Sequence, residues 1–321
     1  MMRALRTDEG SLMDARRIAE EYARHGYVVF EDVFAPEALA PLRATAERIV
    51  GDFDAEANRS VFSTQHEDRD RDRYFIESGQ RVHCFLEEYA LDANGTLNRD
   101  KARAINKIGH ALHDLEPHFS AFCRAPFFAD ALAAIDYPAP ALMQTMYIFK
   151  QPEIGGEVRW HQDGSYLIAD GPGVVGFWIA LEDSDRSNGC LWMQPGGHTS
   201  PLREIFEVRG DSDTGTLRAL DDTPWPGEDT GVPLEVRAGS VVMFADHMPH
   251  YSSRNTSARS RHALTLHVCS AEANWSPLNW LQRPDLPEFR LDRIAHDRIA
   301  QDRIADKRVT DDRVPDDRVP D

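Results

Sequence analysis

The sequence predicts a mainly β fold, a sandwich or jelly roll with a working interior, buttressed by helices on its outer face. Three observations carry that prediction. From Ala141 onward the chain breaks into short strand-like runs with turn punctuation: Leu142–Lys150, Glu157–His161, Val174–Leu181, Gly189–Gln194, Gly239–Ala245 and Arg261–Cys269. Two of these runs have unequal faces. Val175, Phe177, Ile179 and Leu181 make an oily face opposite Gly176, Trp178 and Ala180, and Leu264, Leu266 and Val268 make one opposite Arg261, Ala263, Thr265 and His267. The oily faces are expected to pack on helices and the others to line a cavity. Before Ala141, apolar residues recur mostly at helical spacing.

In chain order, residues 1–13 are polar and expected to be flexible. Asp14 is placed to cap a helix running to about His25, with Ile18, Ala19, Tyr22 and Ala23 on one face, and Gly26 ends it. Tyr27–Phe30 reads as a strand. Pro36 opens a second helix carrying Leu39, Leu42, Ala46 and Ile49. His66–Arg73 alternates in charge and reads as a solvated loop, with a lid over a site as the sharper alternative. Residues 101–136 read as helical, interrupted at Pro117 and Pro126. After Leu291 the chain repeats Asp-Arg-Ile-Ala and then Asp-Arg-Val-Pro every five residues, a period that gives neither a helix nor a strand a continuous apolar face. The division is therefore a flexible N-terminus (1–13), one domain (14–290) and a disordered tail (291–321).

Composition narrows the function. A net charge of −18 argues against a nucleic-acid backbone or an anionic membrane as partner and leaves a small-molecule substrate. The four cysteines, Cys84, Cys123, Cys190 and Cys269, are widely spaced and form no C-x-x-C pair, which fits reduced thiols in a cytoplasmic setting. No apolar run reaches membrane-spanning length.

The chemistry concentrates in two stretches. In Trp160-His161-Gln162-Asp163-Gly164 an extended backbone points His161 and Asp163 the same way, two thirds of a 2-His-1-carboxylate facial triad for non-haem Fe(II). Alone, such a pair arises often by chance. The second stretch raises its weight, because His250, Ser252, Asn255, Ser257 and Arg261 follow at fixed offsets between apolar strands. His250 is the candidate third ligand, and Arg261 can grip a carboxylate through two parallel hydrogen bonds.

His250-x-Ser252-x-x-Asn255-x-Ser257-x-x-x-Arg261 resembles the C-terminal signature of the phytanoyl-CoA dioxygenase family of Fe(II)/2-oxoglutarate oxygenases. Ile105–Leu112, Met146–Pro152, Gly189–Trp192 and Trp275–Leu281 are similar to the branch of that family called phytanoyl-CoA dioxygenase domain-containing proteins, and the likeness spans Ala15 to Phe289. The resemblance implies a double-stranded β-helix core and Fe(II) held by His161, Asp163 and His250. It implies 2-oxoglutarate and O2 as cosubstrates and oxidation of a substrate C–H bond with release of succinate and CO2. By the same resemblance Arg261 pairs with the distal carboxylate of 2-oxoglutarate beside Ser252, while Lys107, Met146 and Trp178 make further contacts. Asp163 argues for hydroxylation or a related oxidation rather than halogenation. Desaturation, epimerisation and ring formation use the same ligands.

Other residues have weaker claims. His247 competes with His250 but lacks the Ser, Asn and Arg at those offsets. His267 falls on the cavity face, where it can touch substrate or support a ligand. Trp160 and Tyr166 flank the metal motif as wall candidates. His110, His113, His118 and His198 have structural readings as strong as functional ones. A cupin-type metal-binding jelly roll, acting as an isomerase or a non-redox binder, is the alternative. It has no need of Arg261 and Ser252.

Overall fold

The computed structural model describes residues 5–6, 14–62, 73–210 and 214–291. Its centre is a pair of facing sheets. Among the described residues the larger has ten strands, in the order Leu5–Arg6, Tyr27–Glu31, Val241–Ala245, Val175–Ala180, Ala263–Ser270, Pro140–Ile148, Ile105–His110, Val82–Glu87 and Val61–Phe62, with Phe289–Arg290 added along Pro140–Ile148. The smaller has the order Val232–Leu234, Leu191–Met193, His250–Ser252 and Val158–His161. Pairing is antiparallel except at the two short edge strands, Leu5–Arg6 and Val61–Phe62.

The expected division of faces is present. Val175, Phe177, Ile179, Leu181, Leu264, Leu266 and Val268 join one core with Ile18, Leu39, Leu42, Phe119 and Phe128 from the helices. Phe128 meets Phe177 edge to face at 5.2 Å. The opposite face carries Trp178, Ala180, Val242, Phe244 and Ala263, packed on Leu191, Met193 and Leu234 of the smaller sheet. Trp178, Phe244 and Leu191 of this cluster also border the cavity described below.

The helices form where capping and spacing placed them. Asp14 accepts a hydrogen bond from the Arg17 amide at 3.1 Å and starts Ala15–His25. Gly26 ends that helix at φ +78°, in the left-handed region. Pro36 sits in the first turn of Pro36–Asp52, which buries Leu39, Leu42, Ala46 and Ile49. Pro117 and Pro126 open the short helices Pro117–Cys123 and Pro126–Ala134.

One expectation is corrected. Ile105–His110 is a strand, not part of a helical stretch, paired to Val82–Glu87 on one side and Pro140–Ile148 on the other. Its burial is nearly continuous, so alternation is lost. Ile105, Ile108, Ala111 and Leu112 then mimic helical spacing. The consequence is functional, because Lys107 is held on a central strand rather than on a helix or loop. Of the N-terminal stretch 1–13 only Leu5–Arg6 is described, as a short edge strand beside Tyr27–Glu31, and nearly all of the charge-alternating segment and the repeat tail lie outside the described residues. Leu291, the last described residue, is fully buried and donates its amide to the Pro140 carbonyl at 3.0 Å.

The turn before Val241–Ala245 needs its glycine. Gly239 has φ +88°, and a Cβ there would lie 2.0 Å from the Phe34 carbonyl oxygen. Its own carbonyl accepts from the Val33 and Phe34 amides. Gly239→Ala is expected to destabilise the fold by at least ~2 kcal/mol, read as a lower unfolding midpoint in denaturant.

Candidate active site

His161 and His250 lie directly opposite each other on neighbouring strands of the smaller sheet. Their rings are 4.0 Å apart at the centroids. Asp163 follows in a short turn of 3-10 helix, Asp163–Ser165, which swings its carboxylate back over the pair. Asp163 Oδ1 is 3.8 Å from His161 Nε2 and 3.6 Å from His250 Nε2, and the three ligand atoms all lie within 4.8 Å of one another.

Backbone carbonyls fix both rings. His161 Nδ1 meets the Arg159 carbonyl at 2.8 Å and His250 Nδ1 meets the Met248 carbonyl at 2.9 Å. A carbonyl only accepts, so each Nδ1 carries a proton and each Nε2 is the nitrogen turned toward Asp163. Burial, with His250 adding to it, depresses His161 to about 3, so it is neutral and ready to ligate at physiological pH. These residues could hold a divalent transition metal.

Asp163 is itself held. His267 Nε2 lies 2.9 Å from Asp163 Oδ2, and Gln144 Nε2 lies 3.0 Å from His267 Nδ1. Burial alone would raise the Asp163 carboxyl, but the His267 and His250 imidazoles outweigh it and hold the group ionised. With Oδ2 committed to His267, Oδ1 is the oxygen turned to both histidines. Gln144 and His267 are cross-strand partners, and the pairing register shifts at His267/Val268.

A cation lies deeper in the same space. Arg261, 2% exposed, donates from Nε to the Gly189 carbonyl at 3.1 Å and from Nη2 to Ser252 Oγ at 3.2 Å, and Ser252 donates on to Gly189 at 2.9 Å. Its Nη1 is buried without a hydrogen-bond partner among the described residues. Burial lowers it to about 10, still cationic at neutral pH. Trp178 covers the guanidinium, 5.4 Å from ring centroid to Cζ.

The space has two adjoining lobes, about 100 Å³ and 130 Å³, that share His161, Asp163, Met146 and Lys107 in their linings. The larger is walled by Trp178, Leu191, Phe244, Tyr251, Ser252 and Arg261. The smaller is walled by Phe62, Phe75, Tyr166, Leu167 and Trp280, with Gln144 and His110. All eight residues singled out from the sequence, Lys107, Met146, His161, Asp163, Trp178, His250, Ser252 and Arg261, line the larger lobe. Lys107 Nζ is 3.8 Å from Met146 Sδ and 3.6 Å from the Phe62 ring centroid.

Several other expectations divide. His267, His110 and Tyr166 join the cavity. Trp160 does not; it stacks on Tyr251 in a separate apolar cluster of the smaller sheet. His247 is outside the convergent group, its Nδ1 turned to the Ser200 carbonyl at 3.4 Å. His113 is structural, bonded to Thr145 and Arg283, and His118 bonds to Thr45. Sequence reasoning missed Phe75, Phe244 and Trp280 as walls. Phe244 has one retrospective signal: Gly176, on the neighbouring strand, has no Cβ because one would lie 2.7 Å from the Phe244 ring.

A jelly roll whose facing sheets hold a 2-His-1-carboxylate group beside a buried arginine defines a class, that of non-haem metal sites open to substrate on one face. The comparisons make it specific. A family model described as phytanoyl-CoA dioxygenase matches residues 22–263. The chain is 39% identical to a phytanoyl-CoA dioxygenase of Arabidopsis thaliana over 266 residues, 82% of this chain and 92% of the plant protein. It is 36% identical to phytanoyl-CoA dioxygenase domain-containing protein 1 of Mus musculus, over 84% of this chain and 95% of the mouse protein. Among solved structures it resembles EctD from S. alaskensis with 2-oxoglutarate and 5-hydroxyectoine (TM-score 0.55, 18% identity, 89% and 86% of the chains). It also resembles the epimerase SnoN in complex with Fe3+, alpha ketoglutarate and nogalamycin RO (TM-score 0.58, 16% identity, 84% and 90%). These likenesses establish the shared fold. The chain belongs to the phytanoyl-CoA dioxygenase family and is a dioxygenase.

Proposed function

We propose that this enzyme is an Fe(II)- and 2-oxoglutarate-dependent dioxygenase that oxidises a C–H bond of a small molecule and releases succinate and CO2. One observation carries the reading: the convergent His161, Asp163 and His250 share a cavity with a buried arginine that has an uncommitted Nη1. The two solved structures named above are described with 2-oxoglutarate, or with iron and alpha ketoglutarate, in the same fold, which supports the reading.

His161, Asp163 and His250 would hold Fe(II). Bound there, the ion supplies O2 activation coupled to decarboxylation of 2-oxoglutarate. The chain's residues do the rest. Arg261 and Ser252 receive the distal carboxylate, with Trp178 over the guanidinium. Met146 and Lys107 stand where the two lobes meet, and the aromatic walls of the smaller lobe keep bulk water from the reacting C–H bond. The acidic surface and the four buried free cysteines suit a cytoplasmic protein that acts on small molecules. No helix of the described residues is long and apolar enough to cross a membrane.

The test is succinate formation from 2-oxoglutarate by anaerobically purified protein reconstituted with Fe(II). Slow uncoupled turnover is expected, and EDTA is expected to abolish it. Absence of both turnover and 2-oxoglutarate binding by calorimetry would sink the assignment.

A further inference from the structure

The metal ligand Asp163 dictates, through two hydrogen bonds, which atom the cavity shows to a substrate. The carboxylate accepts, so His267 Nε2 carries the proton. In the structure the NH2 end of Gln144 faces His267 Nδ1 at 3.0 Å. Gln144 Oε1 is left over, and it has no hydrogen-bond partner among the described residues. Gln144 is 95% buried (5% exposed) and lines the smaller lobe beside Phe75, Tyr166 and Trp280.

A buried acceptor without a partner is unfavourable, and this one borders a cavity that opens on the metal ligands. We propose that Gln144 Oε1 recognises the prime substrate, which is a compact, partly apolar molecule bearing an O–H or N–H donor. The donor bonds to Gln144 while the apolar portion rests against Phe75 and Trp280, whose rings pack together at 4.4 Å and form one continuous wall. The relay Asp163–His267–Gln144 links the two tasks, because the hydrogen bonds that keep Asp163 Oδ1 turned to the metal also keep the amide oxygen turned to the substrate. The inference rests on the proposed dioxygenase reading, which sends the substrate to the smaller lobe.

The probes are a matched pair, benzyl alcohol and toluene, which share the ring and differ in the donor. The protein is loaded with Mn(II) and 2-oxoglutarate, which report on the site without turnover, and the paramagnetic relaxation of each probe's protons is titrated. Benzyl alcohol is expected to bind about tenfold more tightly than toluene, and the preference is expected to vanish in Gln144→Leu. Gln144→Asn, which withdraws the same oxygen by one methylene, serves if the leucine variant does not fold. Equal binding of the two probes, binding of neither, or a preference that survives in the variants overturns the proposal. Mn(II) and 2-oxoglutarate titrations precede the probes. Failure there sinks the dioxygenase reading, whereas success there followed by a missing preference sinks only the role of Gln144.

Discussion

Asp163→Ala is expected to lower affinity for Fe(II) or Mn(II) by at least ~100-fold and to take succinate formation below detection. Residues that merely orient metal ligands cost 10–100-fold in affinity when lost, so ~100-fold is a floor for the proposed anionic ligand itself. The variant leaves two imidazoles, whose Nε2 atoms still converge, and no negative charge to offset a divalent ion. It also strands His267, whose Nε2–H loses its acceptor at 2.9 Å. Asp163→Asn separates those effects. The asparagine keeps an oxygen in the site but cannot present it to both His267 and the metal, so its affinity should fall between the two. The measurement is a Mn(II) titration followed by electron paramagnetic resonance, with the unfolding midpoint as the control. Unchanged affinity in a folded Asp163→Ala protein would remove this carboxylate from the metal site.

The site was more legible than the framework around it, for physical reasons. His161 and Asp163 are two residues apart where the chain leaves a strand, and extended Gln162 between them carries the alternation far enough to put both on one side before the 3-10 turn begins. The spacing of His250, Ser252 and Arg261 reflects a short strand, a turn held by Asn255, and the next long strand. Asn255 donates to the Lys150 and Arg259 carbonyls and accepts from the Ser257 amide, which fixes where Arg261 re-enters the sheet. The inward face of Ala263–Ser270 was readable because its outward face is uniformly aliphatic. Ile105–His110 was not readable. Both of its faces are buried, and its register depends on Val82–Glu87 and Pro140–Ile148 rather than on its own pattern. Lys107 was placed at the site by family resemblance alone. The walls Phe75 and Trp280 come from segments separated by some two hundred residues, and no local pattern joins them.

Arg261→Leu is expected to raise the KM for 2-oxoglutarate by ~100-fold while leaving metal affinity near that of the parent, because two charge-assisted hydrogen bonds are each worth roughly 1.5–3 kcal/mol before compensation. Arg261→Lys keeps the charge but loses the parallel pair of donors, so a smaller rise is expected. The split between cosubstrate and metal is informative, since a cupin-type metal protein needs the three ligands and has no use for the arginine. A second readout follows from burial. Arg261 is a desolvated cation whose nearest contacts are a carbonyl, a hydroxyl and an indole face, with one nitrogen uncommitted. Holding it there without a carboxylate is costly to the free protein, and an apolar side chain of comparable length removes that cost. Metal-loaded Arg261→Leu should therefore melt no lower than the parent in the absence of 2-oxoglutarate, yet lose the rise in melting temperature that saturating 2-oxoglutarate gives the parent. A variant that melts well below the parent without cosubstrate would mean that Arg261 holds the sheets together. Retention of the cosubstrate-dependent rise would mean that 2-oxoglutarate is held elsewhere in the cavity.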